Sequence, residues 1–335
     1  MKEKENILSV ENLGVNFLVK EGQFARKSQK LQAVDGVSFR LERGETLGVV
    51  GESGCGKTTL GRAILYLEKP TSGKIVFKGE LVEDILRKNP LELRRKAQII
   101  FQDPYTSLNP RMTVGSIIGE GIEIHNLAKG RAKQERVKEL LGLVGLDASY
   151  IARYPHEFSS GQRQRIVIAR ALAVDPELVV CDEPVSSLDV SVGAKILNLM
   201  LELQKRLSLA YIFISHDLDV VAHMSDYIAV MYLGKFMETA KTHDIIHNAR
   251  HPYTRALWES MPRIGKEKIV GLKGEIPSPL NIPSGCRFRT RCPYATELCA
   301  QDVPPLTEFG DGQLVACHYA KEIKDGTHVP TNAPV

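Results

Sequence analysis

The sequence lacks a long apolar segment and a strong excess of either charge. Its longest unbroken apolar run, Tyr227 to Leu233, has seven residues, whereas a helix needs about 20 to cross a bilayer. We therefore expect that the chain does not span a membrane by itself. The 44 Lys and Arg residues exceed the 40 Asp and Glu residues by only four. The chain thus lacks the strong positive field of a dedicated nucleic-acid binder.

The N-terminus also lacks the features of a secretory signal. MKEKENILSV carries charges of both signs and has no apolar central region, so we expect a cytoplasmic location. The six cysteines are unevenly placed: Cys55 and Cys181 lie far apart, and the others crowd into one C-terminal stretch. Those four are Cys286, Cys292, Cys299 and Cys317. In a reducing compartment, such a cluster favours metal binding over disulfides.

The composition is otherwise that of an ordinary globular protein. The 335 residues, 43% of them hydrophobic, are enough for one large domain and a smaller appendage. Short apolar runs at residues 46–50, 178–181 and 211–214 alternate with amphipathic segments at 131–144 and 191–207. This alternation predicts an α/β fold around a largely parallel sheet. Beyond residue 260 the chain becomes rich in Pro and Gly, and we predict domains at residues 1–260 and 261–335.

A glycine-rich loop follows the apolar run at residues 46–50. Residues 51–58, GESGCGKT, fit the pattern GxxxxGK[ST] between a predicted strand and a predicted helix. Glycines let successive N–H groups point at phosphate oxygens, Lys57 would neutralise the β- and γ-phosphates, and Thr58 would coordinate Mg²⁺. A glycine-rich turn with a surface lysine is the alternative. The predicted nucleotide ligands of this loop are Gly51, Ser53, Gly54, Cys55, Gly56, Lys57, Thr58 and Thr59.

Two carboxylates end the apolar run at residues 178–181. In parallel sheets, this end of a strand lies beside the ligand crevice. Asp182 suits the coordination shell of Mg²⁺, and Glu183 suits the orientation and partial deprotonation of an attacking water. A strand that simply enters a polar turn gives the same pattern, but its position after a phosphate loop favours the catalytic interpretation.

Four further segments carry a family resemblance. FSSGQRQR at residues 158–165 resembles the LSGGQ signature of ATP-binding-cassette (ABC) ATPases. Gln102 in IIFQDPYTSLNP matches the Q-loop, His216 after YIFIS matches the switch histidine, and residues 187–189, SLD, match the D-loop. Residues 7 to about 240 therefore resemble an ABC nucleotide-binding domain.

This resemblance implies a P-loop, RecA-like α/β core with a helical subdomain at about residues 102–173. Two such domains dock head to tail and enclose ATP between the phosphate loop of one and the signature of the other. Gln102 would sense Mg²⁺ and the attacking water, and His216 would hold the γ-phosphate. The other implied nucleotide contacts are Phe17, Ser159, Gly161, Gln162 and Asp189. Phe17 would stack on adenine, and the alternative is that it is only a half-buried aromatic residue of a strand.

The signature departs from the family pattern. Ser160 places a side chain where the family usually has glycine, so the composite site that uses this signature is expected to be weaker. This departure favours a sibling ATPase over an identical chain as the partner subunit.

Further segments narrow the resemblance to oligopeptide and dipeptide importers. These are AVDGVSF, GESGCGKTTL, FQDPYTSLNPRMTV and, above all, HPYTRAL at residues 251–257. The resemblance implies an ATP-hydrolysing subunit on the cytoplasmic face of the cell membrane that powers import of di- and oligopeptides. Its partners would be a second ATPase subunit, transmembrane permease subunits near residues 103–113 and, indirectly, a peptide-binding protein, with no nucleic acid. Alternatives are import of nickel or another small solute, a soluble ABC ATPase acting on nucleic acid or ribosomes, and a regulatory module with a vestigial ATPase site.

The four C-terminal cysteines lack the CxxC spacing of structural zinc sites. Four thiolates can ligate a [4Fe-4S] cluster, and Pro293 after Cys292 matches a ferredoxin-type Cys-Pro step. The importer resemblance also implies an iron-sulfur cluster. Zinc is the alternative metal, and a disulfide pair is a lesser one. A segment with so little core would gain folding free energy from bound metal.

Overall fold

The computed structural model describes residues 5–20, 28–260 and 274–330. The strands are β1 (Asn6–Lys20), β2 (Ser28–Glu42), β3 (Thr46–Val50), β4 (Ser72–Phe77), β5 (Glu80–Leu81), β6 (Ala97–Ile100), β7 (Leu178–Asp182), β8 (Ala210–Ile214), β9 (Tyr227–Tyr232), β10 (Lys235–Lys241), β11 (Thr307–Glu308) and β12 (Leu314–Val315).

The helices alternate with these strands as predicted. They are α1 (Lys57–Ile64), α2 (Val82–Lys88), α3 (Pro90–Lys96), α4 (Pro104–Ser107), α5 (Val114–Ile124), α6 (Gly130–Leu143), α7 (Ser160–Leu172), α8 (Val190–Leu207), α9 (Leu218–Met224), α10 (Thr242–His247), α11 (Pro252–Glu259), α12 (Glu297–Gln301) and α13 (Ala320–Asp325). Short 3-10 helices lie at Ala148–Ala152, Pro155–Glu157 and Arg289–Arg291.

The described residues form two compact units, each assembled from three stretches of chain. The first unit draws on the described residues within 1–9, 40–46 and 75–214. The second draws on the described residues within 10–39, 47–74 and 215–335. The predicted division into residues 1–260 and 261–335 stays a prediction.

The first unit is built on three parallel strands. β7 pairs with β6 on one side, with Val180 opposite Ile99, and with β8 on the other, with Val180 opposite Ile212. Every residue of β7 and β8 is buried, as the continuous apolar runs at 178–181 and 211–214 predict for strands covered on both faces. Helices α5, α6 and α7 of this unit pack their apolar faces together, burying Ile118, Leu140 and Val167.

The second unit is built around β9. This strand pairs in parallel with β3 and antiparallel with β10. The outer edge of β10 pairs with β12, which pairs with β11. Residues 307–315 therefore extend the same sheet that carries β3, the strand before the glycine-rich loop. Within the described ranges, none of the helices has the length and apolar character to cross a membrane.

Candidate functional site

The glycine-rich loop lies between β3 and α1, as the sequence predicts. Its backbone takes conformations that only glycine tolerates. Gly51 has φ of 153°, and a Cβ there would lie 2.1 Å from the Met231 carbonyl oxygen. Gly56 has φ of 108°, and a Cβ there would lie 2.1 Å from the Ala33 carbonyl oxygen. Both neighbours are backbone atoms, so these two glycines fix the shape of the loop.

Lys57 points its ammonium group into this loop. Its Nζ donates to the carbonyl oxygens of Gly51, at 2.7 Å, and Glu52, at 3.0 Å. Only 6% of the residue is exposed. Phosphate oxygens form stronger charge-assisted hydrogen bonds than neutral carbonyls do, so the ammonium is placed to bind an anion that enters the loop.

Cys55 fills the space beneath the loop. Its Sγ lies 3.7 Å from Lys57 Nζ. Burial raises the pKa of this thiol above its ordinary value, although Lys57 acts in the opposite direction. Cys55 is therefore a neutral, space-filling thiol, in line with its variable place in the motif.

The two predicted carboxylates end β7 in the first unit. Asp182 is 5% exposed. Glu183 has φ of 49°, in the left-handed region, a conformation that costs a side-chain-bearing residue about 1 kcal/mol or more. Its N–H donates to the Ile214 carbonyl oxygen at 2.9 Å, which fixes where the side chain leaves the strand.

The structure brings Gln102 and Glu183 together. The amide Nε2 of Gln102 donates to Oε2 of Glu183 at 3.0 Å, across 81 positions of the sequence. An amide that donates to one oxygen of a carboxylate fixes the orientation of the carboxylate group and leaves its second oxygen available as an acceptor. This pair is therefore suited to orienting a water and accepting its proton.

The signature forms the start of α7. Ser159 is the N-cap and accepts from the Gln162 N–H at 3.3 Å, while Oε1 of Gln162 accepts from the Ser159 N–H at 3.0 Å. This reciprocal pair is a capping box. A Cβ on Gly161 would lie 2.5 Å from Val192 Cγ1. Ser159 and Ser160 are exposed at a helix N-terminus, where anions bind favourably.

The remaining predicted nucleotide contacts occupy exposed or half-buried positions. Asp189 is exposed and immediately precedes α8, and His216 is exposed just after β8 and Ser215. Phe17 is half-buried in β1, which leaves open both its predicted roles. The predicted magnesium ligand Thr58 belongs to the second unit, whereas Gln102 and Asp182 belong to the first.

The four C-terminal cysteines line one small cavity of about 10 Å³, a space for about one water molecule. Burial, with a smaller contribution from neighbouring thiols, raises the pKa of Cys286 to about 11 and that of Cys317 to about 12. Burial likewise raises the pKa of Cys292. Among the residues that the structure describes, no three His, Cys, Asp or Glu side chains form a group that could hold a metal ion. The cavity thus brings the predicted ligands together without forming a ready metal site.

Comparisons with known proteins agree with this arrangement. The ABC transporter family model matches residues 34–186, and the model for the oligopeptide/dipeptide transporter C-terminal region matches residues 237–299. The oligopeptide transport ATP-binding protein AppF of Bacillus subtilis is 52% identical over 94% of this chain and 98% of its own length. The dipeptide transport ATP-binding protein DppF of Haemophilus influenzae is 49% identical over 95% of this chain and 98% of its own length.

Solved structures match the fold. CbiO1 from Clostridium perfringens, part of an ABC transporter complex, aligns with a TM-score of 0.63 and 28% identity, covering 73% of this chain and 92% of its own. An ATP-binding cassette dimer in a post-hydrolysis state with bound ADP and phosphate aligns with a TM-score of 0.61 and 25% identity, covering 70% and 99%. These matches confirm the predicted P-loop α/β fold, whereas nothing in them supports a separate cysteine-rich cluster domain. Sequence identity of about 50% to peptide-transport ATP-binding proteins over almost the whole sequence shows that this chain belongs to the oligopeptide/dipeptide-transport ATP-binding proteins of the ABC transporter family.

Proposed function

We propose that this chain is the ATP-hydrolysing subunit that powers import of di- or oligopeptides through a membrane ABC transporter. One observation carries the proposal: a phosphate loop closed around Lys57 occurs in a chain that matches the peptide-transporter C-terminal region at residues 237–299. Curated relatives named as oligopeptide or dipeptide transport ATP-binding proteins support the same cargo class.

The phosphate loop binds the triphosphate. Gly51 and Gly56 fix the backbone of the loop, and its N–H groups would bind the phosphate oxygens. Lys57 would exchange its carbonyl partners for those oxygens. The sequence resemblance assigns the ligands of Mg²⁺ to Thr58, Gln102 and Asp182. When bound, that ion neutralises charge on the β- and γ-phosphates.

Glu183 orients the attacking water and accepts its proton. The hydrogen bond from Gln102 holds Oε2 of Glu183, and the fixed backbone at Glu183 limits where the carboxylate can move. His216 would contact the γ-phosphate, and Phe17 would stack on adenine.

A second ATPase subunit completes each site. The exposed N-terminus of α7 presents Ser159, Gly161 and Gln162 to the nucleotide held by that subunit. Asp189 would lie at the seam between the subunits. The dimeric state of one structural relative with ADP and phosphate supports this arrangement. We infer a sibling ATPase as the partner, because Ser160 weakens the composite site formed by this signature.

The transmembrane subunits dock beside Gln102. Residues 103–113 follow it directly, and Tyr105 there is 69% exposed although it is a large aromatic. An exposed aromatic next to the catalytic pair suits a coupling surface. This docking holds the subunit at the cytoplasmic face of the membrane, with a peptide-binding protein acting through the permease.

The four cysteines would hold an iron-sulfur cluster or zinc. Their donor type fits, since soft thiolates select these groups. All four line one cavity, although no group of described side chains there is arranged to hold a metal ion. The raised pKa values of Cys286 and Cys317 mean that binding must displace their protons. Iron and sulfide analysis of protein purified without oxygen tests this, and a colourless protein with zinc and no iron would replace the cluster by zinc.

Reconstitution tests the transport function. The chain, its sibling ATPase and candidate permeases are placed in liposomes, and ATP hydrolysis is measured with di- and oligopeptides or with nickel. We expect peptides to stimulate hydrolysis and Lys57→Ala to abolish it. Stimulation by nickel alone would assign a metal cargo, and hydrolysis unaffected by Lys57→Ala would remove the phosphate loop from the reaction.

A further inference from the structure

Glu52 is the second residue of the phosphate loop, and a buried arginine from the C-terminal region holds its side chain. Arg291 donates from Nη1 to Oε2 at 2.6 Å and from Nη2 to Oε1 at 3.0 Å. The Arg291 side chain is 4% exposed and that of Glu52 is 22% exposed. A bidentate pair with so little solvent combines strength with a fixed orientation.

Tyr253 holds the backbone of the same residue. The Glu52 N–H donates to the Tyr253 hydroxyl at 3.0 Å. Tyr253 is the second residue of α11, whose N-cap is His251, and Nδ1 of His251 accepts the Tyr253 N–H at 3.0 Å. Burial lowers the pKa of His251 to about 3, so its ring is neutral and can accept. Main chain and side chain of Glu52 are therefore both fixed by residues more than 200 positions away.

Arg287 supports the far side of the loop. It donates to the Leu233 carbonyl oxygen and to the Asp35 carboxylate. Leu233 and Gly234 form the turn between β9 and β10, and the Gly234 N–H donates to the Cys55 carbonyl oxygen at 2.8 Å. The arginine thus steadies the turn that holds Cys55.

Aromatic packing locks the two arginines in place. Phe288 lies between them in sequence, and its ring centroid is 5.5 Å from that of Tyr232 and 5.2 Å from that of Tyr253. Cys286 and Cys292 flank the segment on either side, so one short turn contacts both the cysteine cavity and the phosphate loop.

An anion site made of backbone N–H groups depends on a preformed loop. A loop that must be ordered on binding loses affinity by the cost of that ordering.

We propose that Arg291, supported by Arg287 and Tyr253, is a positioning residue that holds the phosphate loop in its nucleotide-binding shape through Glu52. The proposal rests on the proposed function, because it concerns the same nucleotide site. It assigns a role in that site to the segment between two of the predicted cluster cysteines.

Binding of MgADP to the full chain, measured by calorimetry, tests the pair. We expect Arg291→Gln and Glu52→Gln each to weaken MgADP binding about tenfold. Because the effects of two residues in contact are not additive, the double variant should bind no more than about twofold less tightly than the single variant with the lower affinity. In the reconstituted transporter, the KM for ATP should rise by the same factor while kcat at saturating ATP stays within about twofold.

Arg289→Gln is the matched control. Arg289 lies in the same turn, but its Nε donates to the Ser284 carbonyl oxygen at 2.9 Å. We expect this variant to keep wild-type MgADP affinity. If Arg291→Gln fails to fold, Glu52→Gln alone decides the outcome. Wild-type affinity in Glu52→Gln, or single losses that multiply in the double variant, would overturn the proposal. A wild-type chain that binds no MgADP would instead overturn the proposed function.

Discussion

Glu177, the residue immediately before β7, is a buried carboxylate held by three cations of the first unit. Lys78 and Lys96 approach its oxygens to 2.8 Å, and Arg43 approaches to 3.0 Å. Burial alone would raise the pKa of Glu177, but the hydrogen bonds and charges of the two lysines outweigh it and lower the pKa to about 2. Arg43 follows β2, Lys78 follows β4 and Lys96 ends α3, so the cluster ties the start of β7 to three other elements of the fold.

Loss of this carboxylate should destabilise the chain at neutral pH. A native pKa of about 2, against 4.5 for the free side chain, contributes stability that is present above pH 4.5 and disappears as the pH falls towards 2. We expect Glu177→Gln to cost about 2–3 kcal/mol at pH 7, and the difference from wild type to shrink below pH 4.5. Urea unfolding at several pH values measures it. A difference that is constant from pH 7 to pH 3 would contradict the assignment.

Substitution of Glu183 should impair ATP hydrolysis without impairing ATP binding. Glutamine keeps the size of the side chain and its contact with Gln102 but cannot accept a proton. We therefore expect Glu183→Gln to bind MgATP normally and to hydrolyse it about 10²-fold or more slowly, which corresponds to about 3 kcal/mol of transition-state stabilisation. Nucleotide binding and single-turnover hydrolysis measure the two effects. Lys57→Ala is the contrasting variant, since it should lose binding. Near-normal turnover in Glu183→Gln would remove Glu183 from its role.

At the start of α7, Ser159 should stabilise the helix, whereas its neighbour Ser160 should not. Ser159→Ala removes the acceptor for the Gln162 N–H and half of the capping box, which should cost about 1 kcal/mol of stability. Ser160→Gly at the next position is the control and should change stability by less than about 0.5 kcal/mol, since Ser160 is exposed and forms no part of that box. Chemical denaturation compares them. Equal losses in the two variants would show that the capping box does not stabilise this helix.

Most elements that carry the site could be predicted from local sequence, because their signals are local. The capping residues of α7, the glycines of the phosphate loop and the apolar runs of β7 and β8 all act within a few positions. The sequence could not predict which distant side chains contact the site residues. Arg291 meets Glu52 across 239 positions, and nothing in either local pattern distinguishes this pair from solvated surface charges. The HPYTRAL motif was the one available signal for Tyr253, but only the structure connects it to the phosphate loop.

At the scale of the whole molecule, distance along the sequence is a poor guide to which strands share a sheet. Strands β11 and β12, from the Pro-rich C-terminal stretch, belong to the sheet of β9 and β3. The Pro-rich composition of this stretch therefore does not prevent it from contributing strands to that sheet. Tyr253 and Arg291, which contact Glu52 of the phosphate loop, both lie within residues 237–299, which match the oligopeptide/dipeptide transporter C-terminal region.

The final prediction concerns assembly with the second ATPase. Ser160 lies exposed at the N-terminus of α7, where the partner's γ-phosphate would be bound, and it carries a side chain where the family signature has glycine. We expect the Glu183→Gln chain, which retains ATP, to stay monomeric with MgATP when alone and to form a one-to-one dimer when mixed with its sibling ATPase. Sedimentation velocity distinguishes these states. Because glycine removes this side chain, Ser160→Gly in the same background should let the chain dimerise with itself. Self-association of the Ser160 chain at the same ATP concentration would show instead that two identical signatures suffice, and that the departure from the family pattern does not select the partner.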